Sequence, residues 1–186
     1  MQTELKNTVE TLQNKKTILY PTDTVWGLGC DATCEKAVEK IYSIKERAES
    51  KSLIILVSNV AMLQQYIPKI PKKVLALLKA TTNPTSIIYN NPQGLAANVV
   101  AKDNTVAIRI PQNNFCINLI EAFGKPIVST SANISGNPTP KSFSKISPAI
   151  LESVDYIVNL QQHEVNEKSS TILKIDDNGE IIVIRK

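Results

Sequence analysis

Apolar side chains at Leu5, Val9 and Leu12 recur at intervals of three and four residues and predict an amphipathic helix over 3–15. Thr17 to Tyr20 is a short apolar run stopped by Pro21, the signature of a strand. From 21 to 32 the chain reads PTDTVWGLGCDA, punctuated by proline and glycine, and no regular element is expected there. Ala37, Ile41 and Ile44 predict a helix over 34–46 with Thr33 as its N-cap. LIILV (53–57) reads as a buried strand. Helices follow around 60–67 and 71–80, the second with Pro71 near its first turn, where a missing N–H is tolerated.

Strands are predicted at 86–90, 105–110 and 126–131, and Asn114 is expected to cap an apolar helix that Gly124 closes. A helix around 142–153 leads into the strand DYIVNL (155–160). The chain then offers STILKI and EIIVIRK, separated by Asp176 to Gly179, where Asn-Gly accommodates positive φ and signals a hairpin. Strands interleaved with helices and closed by a hairpin imply an α/β domain with a mixed parallel and antiparallel sheet. The chain has 186 residues, no repeats and no change of composition, so it is read as a single domain over 1–186.

Composition narrows the chemistry only slightly. A formal charge of +4 suits a phosphate-bearing ligand or RNA, and an ordinary solvated surface equally well. Three cysteines at Cys30, Cys34 and Cys116 have no paired spacing and, with a single histidine at His163, make a poor zinc set. Free thiols in a reducing, cytoplasmic compartment are expected. The first sixteen residues are polar, without a leader pattern, and no apolar run approaches the ~20 residues of a membrane span. The P-loop and dinucleotide glycine patterns are absent, and one histidine argues against a Ser-His-Asp triad.

The strand at 105–110 carries a more specific clue. Val106, Ile108 and Ile110 point one way, Ala107 and Arg109 the other. A mid-strand arginine is not buried unpaired, so Arg109 faces either a structural carboxylate or an open, ligand-binding side of the sheet. Ser129 and Ser131 share one face of the next strand, followed by Asn133, Ser135, Gly136 and Asn137. Such hydroxyls and amides hold phosphate or ribose oxygens, and they also make turns. PTDT (21–24) reads as a turn with an Asp cap, and the cations of KER (45–47) complement a helix C-terminus.

Taken together, YPTDTVWGLGCDA, K-x-R at 45–47, TVAIRIP at 105–111, the S-x-N of STSANISGNP and SST at 169–171 resemble the YrdC-type L-threonylcarbamoyladenylate synthases in order and spacing. The resemblance runs from Lys16 to Arg185. It departs at Ala48 and Ser52, where the family usually has proline, at Trp26 in place of tyrosine, and at Ser86 in place of threonine. It implies a twisted mixed sheet of the YrdC-like type, with helices outside and an open, concave, basic cleft. It also implies a nucleotidyltransferase that makes threonylcarbamoyl-AMP and pyrophosphate from L-threonine, bicarbonate and ATP, with Mg²⁺ carried on the ATP phosphates. By the same resemblance Lys45 and Arg47 are the catalytic contacts to the triphosphate, and Ser131, Asn133, Ser86 and Arg185 hold the nucleotide. Thr22, Thr24, Arg109, Ser129 and Ser170 hold threonine. If the helix ends near Glu46, Lys45 and Arg47 converge. Downstream tRNA-modifying partner proteins and weak RNA binding are expected. The rival readings are an RNA-binding module, which 5% aromatic residues leave without a stacking platform, and a paralogue with the same cleft and another acceptor.

Overall fold

The computed structural model describes residues 1–48, 53–166, 169–176 and 179–185. Its helices are α1 (Gln2–Gln13), α2 (Glu35–Ile44), α3 (Val60–Tyr66), α4 (Lys72–Ala80), α5 (Asn114–Phe123) and α6 (Pro148–Ser153). Its strands are β1 (Ile18–Tyr20), β2 (Gly27–Gly29), β3 (Ile54–Leu56), β4 (Thr85–Asn90), β5 (Thr105–Arg109), β6 (Ile127–Ser131), β7 (Tyr156–Ile157), β8 (Thr171–Ile175) and β9 (Ile181–Arg185). They form one mixed sheet in the order β7-β1-β2-β6-β3-β5-β4-β8-β9. β3 and β5, β4 and β8, and β1 and β7 run parallel, and the remaining neighbours are antiparallel.

Register divides the sheet into two faces. Leu28, Val128, Ile55, Ile108, Ile87 and Leu173 lie on one of them, in a large apolar cluster with Val38 and Ile41 of α2, Leu63 of α3, Val74 of α4 and Ile150 of α6. Ile18, Tyr20, Leu56 and Ile127 lie on the other, beneath Leu12 of α1 and Phe115, Leu119 and Ile120 of α5. The expected outer layer of helices is α2, α3, α4 and α6, whereas α1 and α5 pack on the other face. These two cover part of that face, and the part they leave bare is the floor of a cleft.

Several local expectations change. β2 is a strand although its sequence, GLG, shows no apolar alternation. Its partners β1 and β6 impose it, and Tyr20 fills the space above its glycines. A Cβ on Gly29 would come within 2.7 Å of both the Tyr20 ring and the Val128 carbonyl oxygen. Cys34, not Thr33, occupies the N-cap of α2, because the Thr33 hydroxyl and N–H are both donated to Asp31 Oδ1 at 2.6 and 2.8 Å. Asn113, one residue before the expected Asn114, caps α5 by accepting from the Cys116 N–H, and Gly124 closes that helix at φ +76°. The helix expected over 142–153 is a 3-10 turn, Phe143–Lys145, followed by α6, because Pro148 donates no N–H and starts a new helix instead of continuing one. β8 and β9 form the expected hairpin, with Gly179 at φ +79°. Residues 177 and 178 of its turn, like Ser52, lie outside the described residues.

Candidate active site

The bare part of the second face opens as a cleft of about 480 Å³, within the ~300–1,000 Å³ typical of small-molecule sites. Strand parity builds its floor. Ile54, Ala107, Ser129, Ile88 and Ile172 project into it from β3, β5, β6, β4 and β8, joined by Arg109 and Ser131. Gly27 keeps the floor low, since a Cβ there would meet Thr22 Cγ2 at 3.2 Å and Ser129 Oγ at 3.3 Å. Of the residues picked out from the sequence, Thr24, Arg47, Arg109, Ser129, Ser131, Ser170 and Arg185 line this cleft. No Asp or Glu does so among the described residues.

Both alternatives for Arg109 hold at once. The side chain lines the cleft while only 4% exposed, and its Nη1 is ion-paired with the partly buried carboxylate of Asp23. Nη2 donates to Thr24 Oγ1 at 3.4 Å, and Asp23 Oδ2 accepts the Gln112 N–H at 3.0 Å. Nε is buried and has no acceptor among the described residues, a deficit of about 1–3 kcal/mol for a donor withdrawn from water. The Thr24 hydroxyl lies 2.9 Å from that of Thr22, which donates to the Val25 carbonyl at 2.7 Å. Thr22 thus stands behind Thr24, with its hydrogen bonds spent within the loop, and does not line the cleft.

Lys45 and Arg47 part company. The helix ends where expected, because Glu46 adopts φ +47°; its N–H bonds the Ser43 carbonyl, and the Arg47 N–H bonds that of Tyr42. This pair of bonds is a Schellman cap with glutamate at the position that usually belongs to glycine. After the reversal only one of the two cations lines the cleft. Arg47 lines the cleft, half-buried, and burial lowers its pKa. Lys45 is 1% exposed and turns behind the β6 loop, donating to the carbonyls of Ser131 at 2.5 Å and Asn133 at 2.7 Å. Burial, then the charge of Arg47, lowers its pKa to about 8. Asn133 is also occupied locally, its Nδ2 donating to the carbonyls of Ile134 and Asn137. Lys45 and Asn133 therefore shape the loop that presents Ser131, and neither lines the cleft.

At the far wall the Ser86 and Ser170 hydroxyls meet at 3.0 Å, and Arg185 Nη2 donates to the Ser170 carbonyl at 2.8 Å. Ser86 is fully buried beside Arg109 in the register and does not line the cleft. Sequence reasoning missed Asp23, read there only as a turn cap. It also missed Thr139, Lys141 and Asn166, which line the mouth. The last two meet where the Asn166 N–H bonds the Lys141 carbonyl at 2.8 Å, beside a bridge between Ser142 and Val165. Only Asp23 had a signal, since a buried arginine requires a carboxylate. Ala48 and His163 are exposed. Among the described residues no group of His, Cys, Asp and Glu is placed to hold a metal ion, and no helix is long and apolar enough to cross a membrane.

The family model of Sua5, YciO and YrdC proteins, described as Telomere recombination, matches residues 10–186. The chain belongs to this family. A threonylcarbamoyl-AMP synthase of Xanthomonas oryzae pv. oryzae is 34% identical to this Sua5/YciO/YrdC chain over 158 residues, covering 83% of the chain and 84% of the relative. P. abyssi Sua5 complexed with L-threonine matches it with a TM-score of 0.88 at 25% identity, covering 100% of this chain and 54% of that one. The chain thus spans about half the length of that Sua5 protein. E. coli YciO, at 24% identity and a TM-score of 0.86, covers 100% of this chain and 90% of its own and shares the Sua5/YciO/YrdC fold.

Proposed function

We propose that this chain is a threonylcarbamoyl-AMP synthase, a nucleotidyltransferase acting in tRNA modification. The observation that carries the reading is the convergence of Thr24, Arg47, Arg109, Ser129, Ser131, Ser170 and Arg185, from separate stretches of the chain, on one cleft without a lining carboxylate among the described residues. In the proposed reaction the amine of L-threonine attacks bicarbonate to give a carbamate with loss of water. A carbamate oxygen then attacks the α-phosphorus of ATP, and the bond to the β,γ-unit breaks to release pyrophosphate. No side chain needs to act as a nucleophile. The site supplies alignment, worth up to roughly 7–11 kcal/mol, and charge compensation at the phosphates.

Arg47 is assigned to the triphosphate and Ser131 to the nucleotide, with Lys45 and Asn133 acting through the loop they hold. Arg109, Ser129, Thr24 and Ser170 are assigned to threonine. Arg185 is assigned to the nucleotide, and Thr22 and Ser86 support their neighbours from behind. The lining offers hydroxyls and no carboxylate among the described residues, so Mg²⁺ would be held by the ATP phosphates, whose charge it would compensate, and not by a protein cage. The proposal includes a cytoplasmic location, partner proteins that pass the threonylcarbamoyl group to tRNA, and only weak contact of this domain with RNA, lost steeply with salt.

The test is pyrophosphate release with each component omitted in turn. Release is expected only when ATP, threonine and bicarbonate are all present, and equal release without threonine would assign the cleft to another acceptor. Arg47→Lys should keep a parental melting temperature and lose about 10²–10³ in rate, since lysine lacks the planar fork that grips phosphate.

A further inference from the structure

Arg109 is gripped from one short loop on two sides, Nη1 on Asp23 and Nη2 on Thr24, while the buried Nε meets no acceptor among the described residues. Asp23 is in turn held by the Gln112 N–H at 3.0 Å, three residues beyond Arg109 along the chain. The carboxylate therefore ties the 21–24 loop to the turn after β5, and each of its oxygens has a partner inside the protein. A carboxylate held in this way does not need to touch a ligand to matter. It fixes the plane of a donor whose usefulness depends on its plane, because guanidinium recognition of a carboxylate is directional.

We infer that Asp23 is a positioning residue: by holding Nη1 of Arg109, which lines the cleft, it fixes the guanidinium plane that meets the carboxylate of the amino-acid substrate, and so sets the preference of the cleft for a free α-carboxylate. The inference rests on the synthase reading for the identity of the amino acid. A carboxylate offers the fork two acceptors, whereas a carboxamide offers one acceptor and turns an NH₂ donor against it. Held in plane, Arg109 distinguishes the two. Released from Asp23, it loses that distinction while the phosphate end of the cleft is untouched.

The sole tryptophan, Trp26, lines the same cleft, so its fluorescence follows binding without turnover. Parent, Asp23→Asn and Asp23→Glu are titrated with L-threonine and with L-threoninamide, and KM is measured for threonine and for ATP. The parent should favour threonine over the amide by about 30-fold or more, as polar sites reject analogues that leave their groups unpaired. In Asp23→Asn that preference should fall below about threefold, with threonine KM raised about 10–100-fold and ATP KM within about twofold. Asp23→Glu, which keeps the charge, should retain part of the preference and covers the case in which the asparagine variant does not fold. In an Arg109→Lys background, Asp23→Asn should change threonine affinity less than about twofold, because its route through Arg109 is already gone. Parental preference in either Asp23 variant, equal losses for threonine and ATP, or additivity with Arg109→Lys would overturn the inference. A parent that binds neither threonine nor its amide overturns the synthase reading itself, and it does so before any substitution is made.

Discussion

Two buried cations stand on either side of the cleft floor and are satisfied in opposite ways. Arg109 is neutralised by the partly buried carboxylate of Asp23, whereas Lys45 has only neutral oxygens around its ammonium, two backbone carbonyls and, at 3.5 Å, Asn133 Oδ1. The first arrangement replaces lost hydration with an opposite charge. The second replaces it with dipoles alone, and the depressed pKa of Lys45 records the shortfall. The lesson concerns what each cation is free to do. Arg109 can hold a directional donor toward the cleft without carrying net charge there, while Lys45 is committed to shaping the turn that follows β6.

The largest expected effect breaks the Arg109 side. Arg109→Leu strands the Asp23 carboxylate and should cost about 3–5 kcal/mol in denaturant unfolding, and adding Asp23→Asn should restore most of it. If the double variant were no more stable than the single, the pair would not be the electrostatic unit described.

The Lys45 side should yield less, and with a pH dependence. Lys45→Met removes a costly buried charge as well as the bonds to two carbonyls, so the net loss at neutral pH is expected at about 1–3 kcal/mol. Its sign with pH follows from protons bound. Folded Lys45 releases its proton near pH 8, whereas the unfolded chain holds it to about 10.5, so unfolding takes up a proton in that window. Raising the pH across the window stabilises the parent relative to Lys45→Met, by about 1–2 kcal/mol between roughly pH 7.5 and 9.5. Urea titrations of both proteins at the two pH values measure it, and a constant difference would mean that the carbonyls hold the proton after all.

The smallest effect sharpens the boundary between the two cations. Glu46→Gly relieves a left-handed residue between Lys45 and Arg47 and should gain about 0.5–1 kcal/mol without moving either side chain. A loss of stability in thermal melts would show that Glu46 makes a contact worth more than its backbone strain.

Much of this arrangement was legible in the chain, for reasons that differ from place to place. The parity of β5 put Arg109 on the face opposite Val106 and Ile108 before any coordinates, because strand alternation is strict. K-x-R and S-x-N were legible as a resemblance, but not what Lys45 touches, since backbone carbonyls leave no mark in a sequence. β2 was invisible because its glycines exist to make room for Tyr20, and a strand made by its neighbours shows no pattern of its own. The helix predicted over 142–153 failed because Ile146 and Ile150 keep helical spacing across Pro148, where the backbone does not. Lys141 and Asn166 come together only on the connection that carries the chain across the sheet from β7 to β8. No local window contains that crossing.

The place of β6 between β2 and β3 also imposes an order in time. β1 and β2 can pair as soon as they emerge during synthesis, but β2 acquires its second neighbour only after residue 131 has been made. At ~5–20 residues per second, the stretch from 30 to 126 keeps that side of β2 waiting roughly 5–20 s. A three-residue strand bearing two glycines is a poor template for stray pairing during the delay. The glycines that keep the cleft floor low at 27 and make room for Tyr20 at 29 thus leave the nascent hairpin little with which to capture the wrong strand.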